Sequence, residues 1–244
     1  CEMVTGLKKI GEDIYYFDIT GKMQTGYCNV ENKIYYFDRT GKAIAGFENY
    51  IDSEGKKRII YADPDTKQLV NGLRKIDNEY YLFSNEGIMK TGVQTVNEHT
   101  YYFDEITGKA VKGFYQIQKE KINYFDEDGK RVCGEKLIDG NSYFFSDYGT
   151  RLSGMVLAGN DHYILDEETG IAIYGKVTNS VNNKMYMMLE GGKHAEGVMA
   201  YWGTDIFSDA LTGLVIAGGT TTINNLQYYF DENGERLYGL IEYT

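Results

Sequence analysis

Across 244 residues the sequence holds one proline, one tryptophan, three cysteines and three histidines. Cys1, Cys28 and Cys133 lie far apart and at no metal-ligand spacing, which excludes a zinc site and a dense disulfide framework. His99, His162 and His194 share no motif, and no HExxH, GxSxG or phosphate-cradling GxxxxGK(S/T) signature occurs. The chain is therefore expected to be no enzyme and to need no metal or cofactor. No apolar run reaches the roughly 18 residues of a spanning helix, and no basic cluster exceeds Lys56-Lys57-Arg58. With 25 basic against 36 acidic side chains the formal charge is −11. Neither nucleic acid nor membrane insertion is expected of such a chain. It starts at Cys1, with no initiator Met or signal-like segment, and reads as a fragment of a longer protein.

What is abundant is Tyr, 23 copies, and Gly, 29 copies. Aromatics paired with turn formers favour many short strands. Glycines recur at Gly6, Gly26, Gly46, Gly72, Gly92, Gly113, Gly134, Gly154, Gly175, Gly197, Gly218 and Gly239, spaced 20, 20, 26, 20, 21, 21, 20, 21, 22, 21 and 21 residues apart. That is eleven consecutive units and, by expectation, a single repeat domain spanning residues 1–244.

Each unit runs Gly, a variable stretch, a polar turn, an aromatic triplet, an acidic turn with Gly, and a short tail. The triplet is clearest at Tyr15-Tyr16-Phe17, Tyr35-Tyr36-Phe37, Tyr101-Tyr102-Phe103 and Tyr228-Tyr229-Phe230, each followed by Asp. Ile10 and Ile14 flank Gly11-Glu12-Asp13, and Val30 and Ile34 flank Glu31-Asn32-Lys33, which predicts one β-hairpin per unit. Along a strand Tyr15 and Phe17 share one face and Tyr16 takes the other. A lone hairpin is marginal in water, so each must lean on its neighbours. The expected fold is all-β, a β-solenoid of stacked hairpins of about 20 residues with one or two longer repeats.

The units GYCNVENKIYYFDRTGKAIAG (Gly26 to Gly46) and GVQTVNEHTYYFDEITGKAVKG (Gly92 to Gly113) resemble the short repeats in the C-terminal combined repetitive oligopeptide region of large clostridial glucosylating toxins. The resemblance runs from Gly6 to Gly239. It implies a secreted, extracellular, receptor-binding virulence module, monomeric, that attaches to host cell-surface glycans on glycoprotein or glycolipid. In those toxins the glucosyltransferase and autoprotease activities reside in other domains. The same Tyr-Tyr-Phe-Asp-Gly rhythm is shared by cell-wall-binding and choline-binding repeats and by glucan-binding repeats of secreted glucosyltransferases. That gives the alternative: a bacterial cell-wall or glucan-binding module of a secreted enzyme. Choline-binding repeats carry Trp in each unit, since ring faces hold a quaternary ammonium, Trp best. Trp202 is the single one here.

An aromatic fixed in every unit is packing before it is a ligand platform, so a site is sought where the repeat breaks. The first break is the long unit Gly46 to Gly72. By the resemblance, its pocket forms with the short unit that follows, and the candidates are Arg58, Tyr61, Asp63, Asp65, Lys67 and Gln68, with Lys75, Tyr80 and Tyr81. The second break runs from Gly175 to Gly218, readable as one long repeat or two short ones. There Tyr186, Lys193, His194, Tyr201, Trp202 and Asp205 combine apolar plates with polar groups, as a sugar requires.

Overall fold

The computed structural model describes residues 3–119, 121–159, 161–179, 183–189, 193, 195, 197–201, 204–209, 214–223 and 225–237. Among them the regular elements are strands: β1 (Gly6–Ile10), β2 (Asp13–Phe17), β3 (Gly26–Val30), β4 (Lys33–Phe37), β5 (Gly46–Ile51), β6 (Lys57–Ala62), β7 (Gly72–Ile76), β8 (Glu79–Phe83), β9 (Met89–Lys90), β10 (Gly92–Val96) and β11 (His99–Phe103). They continue as β12 (Gly113–Gln118), β13 (Lys121–Phe125), β14 (Gly134–Ile138), β15 (Asn141–Phe145), β16 (Gly154–Ala158), β17 (Asp161–Leu165), β18 (Gly175–Thr178), β19 (Met185–Met188), β20 (Gly197–Tyr201), β21 (Thr204–Ser208), β22 (Gly219–Ile223) and β23 (Leu226–Phe230). Two compact units divide them, Cys1–Tyr115 with Phe125–Arg131, and Gln116–Tyr124 with Val132–Thr244. Each is a serial stack of hairpins.

The repeat glycine opens the first strand of its hairpin and pairs with the last residue of the triplet, as in Gly6↔Phe17, Gly26↔Phe37 and Gly92↔Phe103. In the last hairpin Gly219, one residue past Gly218, takes that place opposite Phe230. The connecting loops are two residues long, one shorter than the polar turns suggest, because Asp13 and Lys33 already belong to the second strand. Both loop residues hold left-handed backbone: Glu31 at φ 51° and Asn32 at 64°, Asn97 at 49° and Glu98 at 68°. Such a turn matches the strand twist but suits Asn and Gly, not Glu. The double substitution Glu31→Asn/Asn32→Gly is expected to raise the unfolding free energy by about 1 kcal/mol. A denaturant midpoint that falls would contradict it.

The triplets alternate as the pleat requires. Tyr35 and Phe37 are buried and Tyr36 is half-buried between them; Tyr101, Tyr102 and Phe103 repeat the pattern. Phe37 packs on Tyr16 of the preceding hairpin with ring centroids 6.2 Å apart. The tail of each unit then stitches two hairpins together. Ala43 N–H donates to Ile14 of the preceding hairpin at 2.8 Å, while Ile44 N–H donates to Tyr36 of its own at 3.0 Å; Leu69 and Val70 do the same with Ile34 and Tyr61. In the second unit Val215 and Ile216 reach Met185 and Phe207 in the same way. These bonds satisfy backbone groups that isolated hairpins would leave open.

The acidic residue after each triplet closes the turn on itself. Asp38 Oδ1 accepts from Thr40 N (2.8 Å), Thr40 Oγ1 (2.6 Å) and Lys42 N (3.1 Å). Asp18, Asp63, Asp104 and Asp166 do likewise. The acidic clusters are thus turn-forming groups, and the donated hydrogen bonds hold these carboxyls below the ordinary carboxylate value of 3.8. Because the folded values are depressed, their contribution is present above pH 3.8 and is lost as pH falls through the folded values. A thermal midpoint constant from pH 7 to 5 and falling below about pH 4 is expected. A midpoint that rises on acidification would contradict it.

Candidate functional site

The long unit departs from its neighbours in the hairpin and in the turn. Strands β5 and β6 have six residues each, where β3 and β4 have five, and their loop is Asp52–Lys56 instead of two residues. Asp52 organises that loop, accepting from Glu54 N (2.9 Å) and Lys56 N (2.8 Å) through Oδ1 and from Arg58 Nε (2.7 Å) through Oδ2. The turn after β6 is also one residue wider than that after β4: Asp63 N–H reaches Gln68 O, whereas Asp38 N–H reaches Lys42 O. At the triplet position stand Ile60, Tyr61 and Ala62, with Ile60 and Ala62 fully buried.

Beside this wide turn lies an open groove of about 530 Å³ within the first unit. The preceding hairpin contributes Asn29 from its first strand, Asn32 from its loop, and Lys33 and Ile34 from its second strand. The turn and tail of the long unit supply Asp63, Thr66, Gln68, Leu69, Val70 and Asn71. From the following unit come Arg74 and Asn85. Leu69, stitched to Ile34, and Val70, stitched to Tyr61, give an apolar floor; five amide side chains and two cations surround it. Oδ1 of Asp63 is committed to Asp65 N (3.1 Å), Thr66 N (2.8 Å) and Thr66 Oγ1 (3.0 Å). Arg74 donates to Leu73 O (3.0 Å) and to Asn71 Oδ1 (3.5 Å). Amides that both donate and accept, over an apolar strip, suit a polyhydroxylated ring.

Of the nine sequence candidates at this break, Asp63 and Gln68 line the groove. Asp65 and Lys67 belong to the turn that frames it, Lys67 with left-handed backbone (φ 60°) and its Nζ donating to Pro64 O. Arg58 is held at the hairpin tip by Asp52. Tyr61 packs edge-on against Phe47 at 4.7 Å, and Tyr81, buried, packs on the same ring at 5.1 Å. Tyr80 lies under Lys75 Nζ, 5.4 Å from the ring centroid. Asn29, Asn32 and Lys33 escaped sequence reading because the tail of the long unit pairs backwards, onto the preceding hairpin. The signal available was the recurrence of an Ile just before the triplet, at Ile14 and Ile34, and of an apolar tail residue, at Ala43 and Leu69.

The second break resolves into two hairpins, β18 with β19 and β20 with β21. Tyr186 is buried among Ile164, Met188 and Leu214. Lys193 bridges to Tyr163, and its carbonyl accepts from Leu189 N at 2.7 Å. Tyr201 and Asp205 fall on strands, but their own side chains, like His194 and Trp202 altogether, lie outside the described residues. A cavity of about 570 Å³ sits in the second unit against Thr178, Asn183, Lys184, Met185, the tail Leu214 to Ala217, and Glu232.

Tyr27, Tyr36 and Tyr50 lie with centroids 5.2, 5.2 and 5.4 Å apart, and Tyr36 and Tyr50 flank a cavity of about 340 Å³ with Glu48 and Asp38. Burial and the hydrogen bond with Tyr50 push the Tyr27 phenol up, and burial and the Glu48 charge do so for Tyr36. Tyr27 meets Tyr36 and Tyr50 edge-on, which takes up part of the ring surface that a trimethylammonium group would need.

Against known proteins, residues 4–47, 70–115 and 90–135 match the choline-binding repeat, and residues 222–235 match a putative cell wall binding repeat. These segments are therefore similar to repeats of the wall- and choline-binding class. Glucosyltransferase-S of Streptococcus mutans is 26% identical over 69% of this chain, and glucosyltransferase-I of Streptococcus downei 27% identical over 76%. The chain spans only 12% and 14% of the lengths of these two enzymes. Among solved structures, CbpJ from Streptococcus pneumoniae superposes with a TM-score of 0.62 at 19% identity, covering 95% of this chain and 93% of that one. Choline binding protein F from the same species, in the presence of a peptidoglycan analogue, gives 0.59 at 18%, covering 95% and 92%. These structures share the fold of stacked hairpin repeats.

Proposed function

We propose that the chain is a polysaccharide-anchoring module of an extracellular bacterial protein, holding a cell-wall or glucan chain in the groove beside Gln68. The observation that carries this reading is that groove: polar rim, apolar floor and amide donors, at the one long unit of a repeat whose inward-facing triplet aromatics are spent on packing. Similarity to wall-binding repeats and to streptococcal glucosyltransferases supports a bacterial polymer over a host receptor. Binding without catalysis at this site, and action as a monomer, belong to the same reading. Shallow sites of this kind are weak singly and gain from attachment to an enzyme that acts on the same polymer, which raises effective concentration. The long unit flanked by short ones supports a second reading, attachment to host glycans as in the toxin repeat regions. Parallel retention on insoluble cell wall, on dextran and on a mammalian glycan array separates the two. Retention on wall or dextran is expected, and binding confined to mammalian glycans would overturn the first reading. Since the Tyr27, Tyr36 and Tyr50 rings contact one another, excess choline is expected not to release the bound chain; release would place the ligand in an aromatic cage instead.

A further inference from the structure

The tails make a repeated register, and this groove lies at one of its positions that carries no ion pair. Each tail N–H meets a carbonyl of the preceding hairpin: Ala43 to Ile14, Leu69 to Ile34, Ala110 to Tyr80, and in the second unit Val215 to Met185. The residues just before these partners face each other across the same position. At the first of these registers they are Asp13 and Lys42, joined by a 2.7 Å ion pair. At the third they are Glu79 and Lys109, 3.9 Å apart, reinforced by Lys112 at 3.0 Å. At the second the acid is replaced by Lys33 and the base by Gln68, and here the groove of about 530 Å³ lies open. In the second unit the corresponding residues are Lys184 and Leu214, and a cavity of about 570 Å³ lies at that position too.

Lys33 thus stands where the registers at Asp13 and Glu79 hold a carboxylate. Neither it nor Arg74 has an ion-pair partner among the described residues. The one carboxylate of the groove, Asp63, has its Oδ1 committed to three turn donors. Two cations without an ion-pair partner, set against the single carboxylate of Asp63, leave the groove net positive in a chain of formal charge −11, and that favours an anion. We propose that the groove selects a saccharide or polyol carrying an anionic oxygen, phosphate or carboxylate, with Lys33 and Arg74 on the charge and the amides Asn32, Gln68 and Asn85 on the hydroxyls. This rests on the reading of the groove as a polysaccharide site.

The test is calorimetric titration of the full chain with three probes: a deacylated glycerol-phosphate polymer, an oligogalacturonate and a neutral isomalto-oligosaccharide. Binding of one or both anionic probes is expected, weakening with salt and falling at least tenfold in Lys33→Gln/Arg74→Gln. The phosphate and uronate arms tell which anion is preferred. Lys33→Asp/Gln68→Lys, which transplants the Asp13–Lys42 pair, is expected to abolish binding while leaving the thermal midpoint unchanged. Binding of the neutral probe alone, or anionic binding indifferent to both variants, overturns the charge assignment and leaves the polysaccharide reading standing. Binding of none of the three, with no retention on wall or dextran, overturns both.

Discussion

Gly129→Ala is expected to lower the unfolding free energy by about 2–5 kcal/mol, the sum of left-handed strain and overpacking. Gly129 sits at φ +77°, and a Cβ there would lie 2.8 Å from the Ala110 Cβ and 3.4 Å from the Val111 carbonyl oxygen. Both neighbours belong to the tail stitched to Tyr80 and Tyr102, so neither can yield without breaking the joint between hairpins. Gly26 shares the backbone conformation, φ +76°, but its Cβ would meet nothing within 4 Å. Gly26→Ala should therefore cost only the strain, about 1–2 kcal/mol. Gly41→Ala falls between, because the atoms it meets are the far end of the flexible Met23 side chain. Denaturant midpoints of the three variants check the order. Equal losses at Gly129 and Gly26 would mean that close approach between units adds nothing.

The second large effect is expected at Phe103. Its side chain is 0% exposed and packs with Tyr101, Leu82 and Ala110, ring centroids of the aromatic pair 5.8 Å apart. Phe103→Ala should cost about 3–5 kcal/mol, since the stitched tail leaves the cavity little scope to collapse. Tyr102→Ala, on the half-exposed face, should cost clearly less; its ring loses mainly Tyr115 at 4.9 Å. In a serial stack the damage is carried by adjacent hairpins. Hydrogen exchange should therefore speed in the strands around residues 79–111 before those near residue 10. Uniform acceleration across the first unit would show instead that the hairpins unfold as one body.

The hairpin per unit was legible because glycine spacing, triplets and polar turns are local signals that agree with one another. So was the alternation within Tyr35-Tyr36-Phe37, which follows from the pleat alone. The scaffold role of the triplets followed from their recurrence, and Tyr81 in the core accords with it. Less legible was the direction of the joint between units. Nothing in the residues from Gly46 to Gly72 says that Leu69 donates to Ile34 and not to a residue of the next hairpin. The candidates were accordingly sought in the long unit and the one after it, whereas Asn29, Asn32 and Lys33 come from the one before. Arg58 looked free in sequence because its partner Asp52 lies in an enlarged loop whose shape only the folded hairpin reveals. The ion pairs at Asp13–Lys42 and Glu79–Lys109 span 29 and 30 residues by their numbers, and they occupy the register position at which Lys33 and Gln68 stand beside the groove.

The most direct test is co-sedimentation of the chain with insoluble bacterial wall and with dextran, wild type against Gln68→Ala/Asn85→Ala. Each amide removed deletes hydrogen bonds worth about 0.5–1.5 kcal/mol, so the pair should weaken retention roughly tenfold with an unchanged thermal midpoint, both side chains being on the groove rim. Retention of the double variant equal to wild type on every polymer that holds the wild type would contradict a polysaccharide site in this groove.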